Sequence, residues 1–259
     1  MRTHLFYLLL AFTIGLVSCE EDTLPDTIFS ATTSGKIQTE SINELFYANF
    51  VYKGNKYESS YYFDGDSAIF EKEEVGELLK RLNSTPTLVT FIYLDQTREY
   101  FDNQDEYEMN LVRILRKNLL YLGNYSISTI EKGDGIIPSR DSRYAANMFL
   151  FDDRNYSDTK LQFNLEMGQS VFEVPQLRDY GMNDKTTSVV LWCNSGTVEY
   201  QLWEDNTYEG HSLIYLLTPN TSHIGVKGRL VIPSLKNIQV EGTKNTWNDR
   251  ITSIRMLKR

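Results

Sequence analysis

Two six-residue stretches in the C-terminal third carry the residue types that could hold a hard cation. They are Asn183-Asp184-Lys185-Thr186-Thr187-Ser188 and Asn248-Asp249-Arg250-Ile251-Thr252-Ser253. Calcium takes about six to eight oxygens from carboxylates, carbonyls, hydroxyls and water. A turn of this composition offers a carboxylate, a backbone carbonyl and a hydroxyl within one short loop. The same residues have a second use, because Asp and Thr also cap turns by bonding their own backbone. Lys185 and Arg250 place positive side chains beside any such ion, unless they point outward. Catalysis has less to work with. His4, His211 and His223 are the three histidines, and Cys19 and Cys193 the two cysteines. That is too few for a zinc site or a Cys/His pair. Acidic residues are plentiful, but nothing in their order marks out a glycosidase-like carboxylate pair, so no enzyme is expected.

The elements that must position these loops repeat. One copy opens with Phe151-Asp152-Asp153-Arg154-Asn155-Tyr156 and the other with Trp203-Glu204-Asp205-Asn206-Thr207-Tyr208-Glu209-Gly210. Val174-Pro175-Gln176-Leu177 and Ile232-Pro233-Ser234-Leu235 follow, and each copy closes on its Asn-Asp loop before an apolar strand. These residues resemble the βγ-crystallin family. Its domain is a sandwich of two four-stranded Greek keys, each with an aromatic-x4-aromatic-x-Gly hairpin and, in calcium-binding members, an (Asn/Asp)-(Asn/Asp)-x-x-(Ser/Thr)-Ser loop. The second key, about 198–258, has both motifs. The first, about 147–192, has Asp158 where the hairpin glycine should be, at a position that wants φ > 0 and that Asp tolerates better than most residues. The resemblance implies up to two calcium ions, each completed across the keys. Asp184 and Thr187, with Asn183 and the Lys185 carbonyl, would meet the turn at Glu204. Asp249 and Thr252, with Asn248 and the Arg250 carbonyl, would meet the turn at Asp152. The second key also has longer loops, near 219–228 and 238–247.

Ahead of this region, aromatic-rich strands over 45–53 and 56–63 flank a two-residue turn at Gly54-Asn55. Val75, Leu78, Leu79 and Leu82 fall at helical spacing. A strand over 87–94, a second over 97–101 and a helix over 104–122 complete a small α+β domain. Tyr57, Tyr61 and Tyr62 there are either a binding face or the ordinary surface of a tyrosine-rich sheet. The expected fold is therefore an α+β N-terminal domain followed by an all-β, βγ-crystallin-like Greek-key sandwich. Its boundaries are 41–125 for the first, 126–145 for a linker and 146–259 for the second.

The N-terminus has a positive start and an apolar run over residues 5–17, shorter than the roughly 20 residues that span a bilayer. It reads as a signal peptide over 1–18. Leu16-Val17-Ser18-Cys19 resembles the lipobox of bacterial lipoproteins, which implies cleavage before Cys19 and acylation of that cysteine. Two or three acyl chains make a stable anchor where one is marginal. Residues 19–40 read as a lipidated flexible tether, and its acidic start, Glu20-Glu21-Asp22, resembles a surface-export signal. The expected location is the outer membrane, on its periplasmic or cell-surface face. With Cys19 lipidated, Cys193 has no disulfide partner. Loss of Arg2 with the signal takes the net charge from −9 to −10. An acidic chain without a basic run excludes nucleic acid as a partner. The expected function is a non-enzymatic, calcium-binding lipoprotein. The alternative is a binder or inhibitor of an extracellular protein or glycan, acting through the long loops around His223 and Asn245.

Overall fold

The computed structural model describes residues 44–121, 136–158, 160–223 and 225–259. The signal, Cys19 and the tether, expected over residues 1–40, lie outside the described residues, as does the first part of the 126–145 linker. Among the described residues no helix is long and apolar enough to cross a membrane.

The chain begins with strands β1 (Phe46–Tyr52), β2 (Asn55–Asp64) and β3 (Ser67–Phe70), then helix α1 (Glu73–Asn83). Strands β4 (Val89–Ile92) and β5 (Arg98–Phe101) and helix α2 (Gln104–Tyr121) follow. Tyr52 pairs with Asn55, so the two-residue turn is Lys53-Gly54, one residue earlier than the sequence pattern suggests. Both residues have positive φ, 48° and 79°, the backbone of a type I′ turn that matches the twist of its strands. Glu73 and Glu74 open α1 and Lys80 and Arg81 close it, each sign set against the helix dipole. Its apolar stripe, Val75, Leu79 and Leu82, packs on Phe50, Tyr61 and Tyr100. The tyrosine cluster thereby divides: Tyr61 is core, while Tyr57 and Tyr62 are partly exposed.

The C-terminal half contains β6 (Tyr144–Phe151), β7 (Lys160–Glu166), β8 (Val171–Val174) and β9 (Ser188–Cys193). Then come β10 (Val198–Trp203), β11 (Ser212–Leu217), β12 (Ser222–His223), β13 (Val226–Lys227), β14 (Arg229–Ile232) and β15 (Ser253–Lys258). They form a Greek-key sandwich in which each key lends one strand to the other's sheet. The smaller sheet runs β14-β9-β6-β7, with β14 donated by the second key. The larger one includes β11-β10-β15-β8, with β8 donated by the first. Inward residues of both sheets, among them Met148, Leu191, Leu202 and Ile254, share one core with Trp247 of the loop before β15.

The two halves share a sheet. β4 pairs in parallel with β11, so the order β3-β2-β1-β5-β4-β11-β10-β15-β8 runs unbroken through nine strands. Phe91, Tyr107 and Ile114 from one half bury Ile214 and Leu216 from the other. The described residues of the segments 41–125 and 146–259, which differ so clearly in sequence pattern, thus lie in one folded unit. The edge of β11 that an isolated sandwich would leave bare is covered.

The long 238–247 loop has a structural occupation. Tyr61 Oη donates to Gln239 Oε1 at 3.1 Å, Arg98 Nη1 donates to the Gln239 carbonyl at 2.7 Å, and Asn83 Nδ2 donates to the Glu241 carbonyl at 2.8 Å. The buried Glu241 carboxylate receives Tyr100 Oη at 3.1 Å and lies 3.4 Å from Arg98. This part of the loop clamps the α+β half to the second key, which removes it from the set of free binding loops.

Candidate cation site between the two Greek keys

Each Asn-Asp loop is tied to the hairpin of its own key by the same bonds. In the first key, Thr187 N–H donates to the Phe151 carbonyl at 2.8 Å and Ser188 Oγ to the Asp153 carbonyl at 2.7 Å, while Tyr156 N–H donates to Ser188 Oγ at 3.1 Å. In the second, Thr252 N–H donates to the Trp203 carbonyl at 2.9 Å and Ser253 Oγ to the Asp205 carbonyl at 2.7 Å. Tyr208 N–H completes the set on Ser253 Oγ at 3.2 Å. The closing serine of the motif is therefore a strut that fixes the hairpin corner. The Pro-x-Leu repeats brace the opposite key. Leu235 N–H donates to the Thr187 carbonyl and Leu177 N–H to the Thr252 carbonyl, both at 2.7 Å. The carbonyls of Pro233 and Pro175 accept from Asn155 N–H and Thr207 N–H, both at 2.8 Å.

The corners are left-handed in both copies. Asn155 and Tyr156 have φ of 59° and 64°, and Thr207 and Tyr208 have 58° and 63°. At the glycine position Gly210 has φ 72° and Asp158 has 61°, so the substitution keeps the turn and accepts its backbone. A Cβ on Gly210 would lie 2.5 Å from Asp205 Oδ2, so glycine is needed there for room as well as for φ.

The loop aspartates also sit at positive φ, 50° at Asp184 and 55° at Asp249, and each accepts from the preceding side chain, Asn183 or Asn248. The two loops then meet. Asp249 N–H donates to the Thr186 carbonyl at 3.2 Å, and Thr187 Oγ1 lies 3.1 Å from Asp249 Oδ1 and 3.4 Å from the Lys185 carbonyl. A hydroxyl, a carbonyl and a carboxylate from two keys converge here. On the other side Thr252 Oγ1 donates to the Glu204 carbonyl at 2.8 Å. The pairing of threonines with turns is thus the reverse of the one the family resemblance implies. Thr187 belongs with its own hairpin and with Asp249, and Thr252 with Glu204. The reason is the strand exchange: each threonine is bonded to its own hairpin through its backbone, and the aspartate is the residue that reaches across.

A cleft of about 340 Å³ lies between the loops, lined by Asp184, Glu204, Asp205, Asn206, Asp249 and Arg250, with Asn183 and Thr252 beside them. Partial burial, then Asp205, Asp249 and Glu204, hold the Asp184 carboxyl above its ordinary range. Among the described residues Glu204 is the one carboxylate of the cleft with a cationic partner. Its Oε1 accepts from Arg250 Nε at 3.1 Å and from Nη2, and its Oε2 lies 3.5 Å from His211 Nδ1. Asp152 makes no side-chain hydrogen bond or ion pair among the described residues. Asp205 and His211 were missed as site residues, although the acidic pair Glu204-Asp205 stands in the hairpin turn.

Among the described residues no three carboxylate, imidazole or thiol side chains form a ready-made metal cluster. The hydroxyls and carbonyls beside these carboxylates are further oxygen donors, the kind a hard cation takes. Crowded carboxylates with one guanidinium among them are the charge pattern that such a cation relieves. Cys193, 1% exposed, has its thiol pushed up to about 12 by burial, an inert core residue far from reactive thiolate behaviour.

No family model matches the chain, and no curated protein matches it. Solved structures do. A βγ-crystallin domain from work on the evolution of the eye-lens fold is 16% identical, covering 48% of this chain and 95% of its own, with a TM-score of 0.31. A βγ-crystallin from an archaeon is 18% identical over 44% of this chain and 99% of its own, TM-score 0.29. A clostrillin double mutant in complex with nickel is 20% identical over 43% and 98%, TM-score 0.26. The first two are βγ-crystallin domains by name, and each of the three matches less than half of this chain's length.

Proposed function

We propose that the chain is a non-enzymatic, lipid-anchored protein of the outer membrane whose Greek-key sandwich binds calcium. The observation that carries the calcium reading is the convergence of Thr187 Oγ1, the Lys185 carbonyl and Asp249 Oδ1 across the two keys. The ion would supply charge and cross-linking only: it ties two loops from different keys, so its binding energy adds to the stability of the fold. At a calcium concentration ten times the dissociation constant each site adds roughly 1.4 kcal/mol. The anchor rests on the lipobox-like Leu16-Val17-Ser18-Cys19, and outside the cytoplasm calcium is plentiful enough to fill weak sites. The α+β half, bonded edge to edge through β4 and β11, is part of the scaffold that holds the second key. Calorimetric titration of the chain from Glu20 onward tests the calcium reading, with melting curves in chelator and in millimolar calcium. Absence of both heat and melting shift sinks it. Cys19→Ser tests the anchor, which fails if the variant protein stays in the membrane fraction.

A second reading has an observation of its own. A groove of about 540 Å³ is lined by Lys236, Lys244, Asn245, Thr246, Asn248 and Arg250, a basic, amide-rich surface in an acidic chain. It fits an anionic glycan or an acidic protein loop. Capture of such a partner equally well with and without calcium favours this reading over the first.

A further inference from the structure

The two keys agree nearly bond for bond, and they part company at Arg250. Lys185 occupies the same place in the first loop, and among the described residues it makes no ion pair. Arg250 instead holds Glu204 through Nε at 3.1 Å and through Nη2, with the Trp247 ring centre 6.0 Å from its guanidinium carbon. His211 engages the other oxygen of Glu204 at 3.5 Å, and its Nε2 lies 2.9 Å from the Thr85 carbonyl in the α+β half. Both oxygens of that carboxylate are taken by protein groups, in a setting where the Arg250 and Glu204 side chains are about three-quarters covered. A lysine in this place could turn its hydrated ammonium to water, whereas a planar guanidinium forked on a carboxylate stays.

We infer that Arg250 is the resident cation of the Thr252–Glu204 side, so that the two loops take a divalent ion unequally. This rests on the calcium reading. The side built from Thr187, the Lys185 carbonyl and Asp249 holds no such guanidinium, and an ion there replaces one hydrogen bond, from Thr187 Oγ1 to Asp249. On the other side an ion at Thr252 Oγ1 and the Glu204 carbonyl would sit beside a fixed positive charge bonded to the same glutamate. Like charges in a half-sheltered cleft repel more strongly than in water, and moving Glu204 toward the ion means giving up Arg250. The guanidinium ties the 248–253 loop to the 203–208 hairpin within the second key at every calcium concentration, whereas an ion at Thr187 and Asp249 ties the loops of the two keys to each other. The hairpin corner of the second key, which carries the contacts to the α+β half, is in this way made independent of calcium, and the junction between the two loops is left responsive to it.

Calorimetric titration of calcium into the chain from Glu20 onward, as wild type, Arg250→Gln and Lys185→Gln, tests this. The wild type should show one site and a second at least tenfold weaker, and Lys185→Gln should match it. Arg250→Gln should show two sites with affinities within about threefold of each other. In chelator Arg250→Gln should melt below the wild type, and it should recover more than the wild type gains when calcium is added. Should Arg250→Gln fail to fold even in calcium, Arg250→Lys keeps the charge but frees it to hydrate, and should raise the weaker affinity at least threefold. Two equal sites in the wild type, or an unchanged stoichiometry and affinity ratio in the variants, overturns the inference and leaves the calcium reading standing. No heat from any of these proteins defeats the calcium reading and this inference with it.

Discussion

Replacing Arg98 by alanine should cost the fold several kilocalories per mole, in a way that depends on pH. Arg98 is 16% exposed and its partner Glu241 8% exposed, 3.4 Å apart, on the face where the second key meets the α+β half. Truncation removes that pair and the 2.7 Å bond to the Gln239 carbonyl, leaving Glu241 with Tyr100 as its neutral partner. Uncompensating a buried charge in this manner costs about 3–5 kcal/mol. For a unit of this size the loss corresponds to a fall of roughly 6–20 °C in melting temperature. The sign of the pH dependence follows from Glu241, whose carboxyl burial already holds above its ordinary value of 4.5. A raised carboxyl favours the fold below its unfolded value and loses that contribution as pH rises through the folded one. Removing Arg98 raises it further. The deficit of Arg98→Ala should therefore be largest near neutral pH and shrink to lost packing below about pH 4. Urea denaturation at pH 7 and pH 4 measures it, with Arg98→Met/Glu241→Gln as the uncharged control that should recover much of the loss. A deficit under about 1 kcal/mol that is flat with pH would refute the view that this pair joins the two halves.

Other expectations follow from the site and the core. Asp184→Asn should stabilise the calcium-free protein at pH 7 by no more than about 1 kcal/mol, because its carboxyl is raised yet largely solvated. The gain should vanish below about pH 4, and calorimetry should show calcium heat reduced. Gly210→Ala should cost about 2 kcal/mol through its left-handed backbone and the crowding of Asp205, whereas Asp158→Gly should change stability by less than about 1 kcal/mol; urea midpoints compare them. Cys193 should resist a thiol reagent at pH 8 in the native protein and react at once in denaturant; rapid native labelling would contradict its burial.

The Greek keys could be read from residues because each carries its punctuation twice, the aromatic hairpin and the Asn-Asp loop, in register. Asp158 kept its turn for the reason its residue type suggests, tolerance of φ > 0. What a linear pattern does not contain is which edge meets which. Nothing in Val89–Ile92 names Ser212–Leu217 as its neighbour, so the α+β segment and the sandwich read as separate although β4 and β11 pair. The same limit reversed the threonine pairings: strand exchange between sheets decides that Asp249, from the far loop, reaches Thr187. The Arg250–Glu204 pair lies 46 residues apart in the chain and has no sequence signature at all. The turn at Lys53-Gly54 slipped by one residue because Asn55 is as good a turn former as Gly54 and only the cross-strand partner of Tyr52 decides between them.

The central claim is that an ion ties the two keys at Thr187 and Asp249. A crystal structure of the chain grown in millimolar calcium tests it most directly. The account predicts metal density bonded to Thr187 Oγ1, the Lys185 carbonyl and the Asp249 carboxylate, with Arg250 still on Glu204. Thr187 Oγ1 still hydrogen-bonded to Asp249 with no metal between the loops would contradict it.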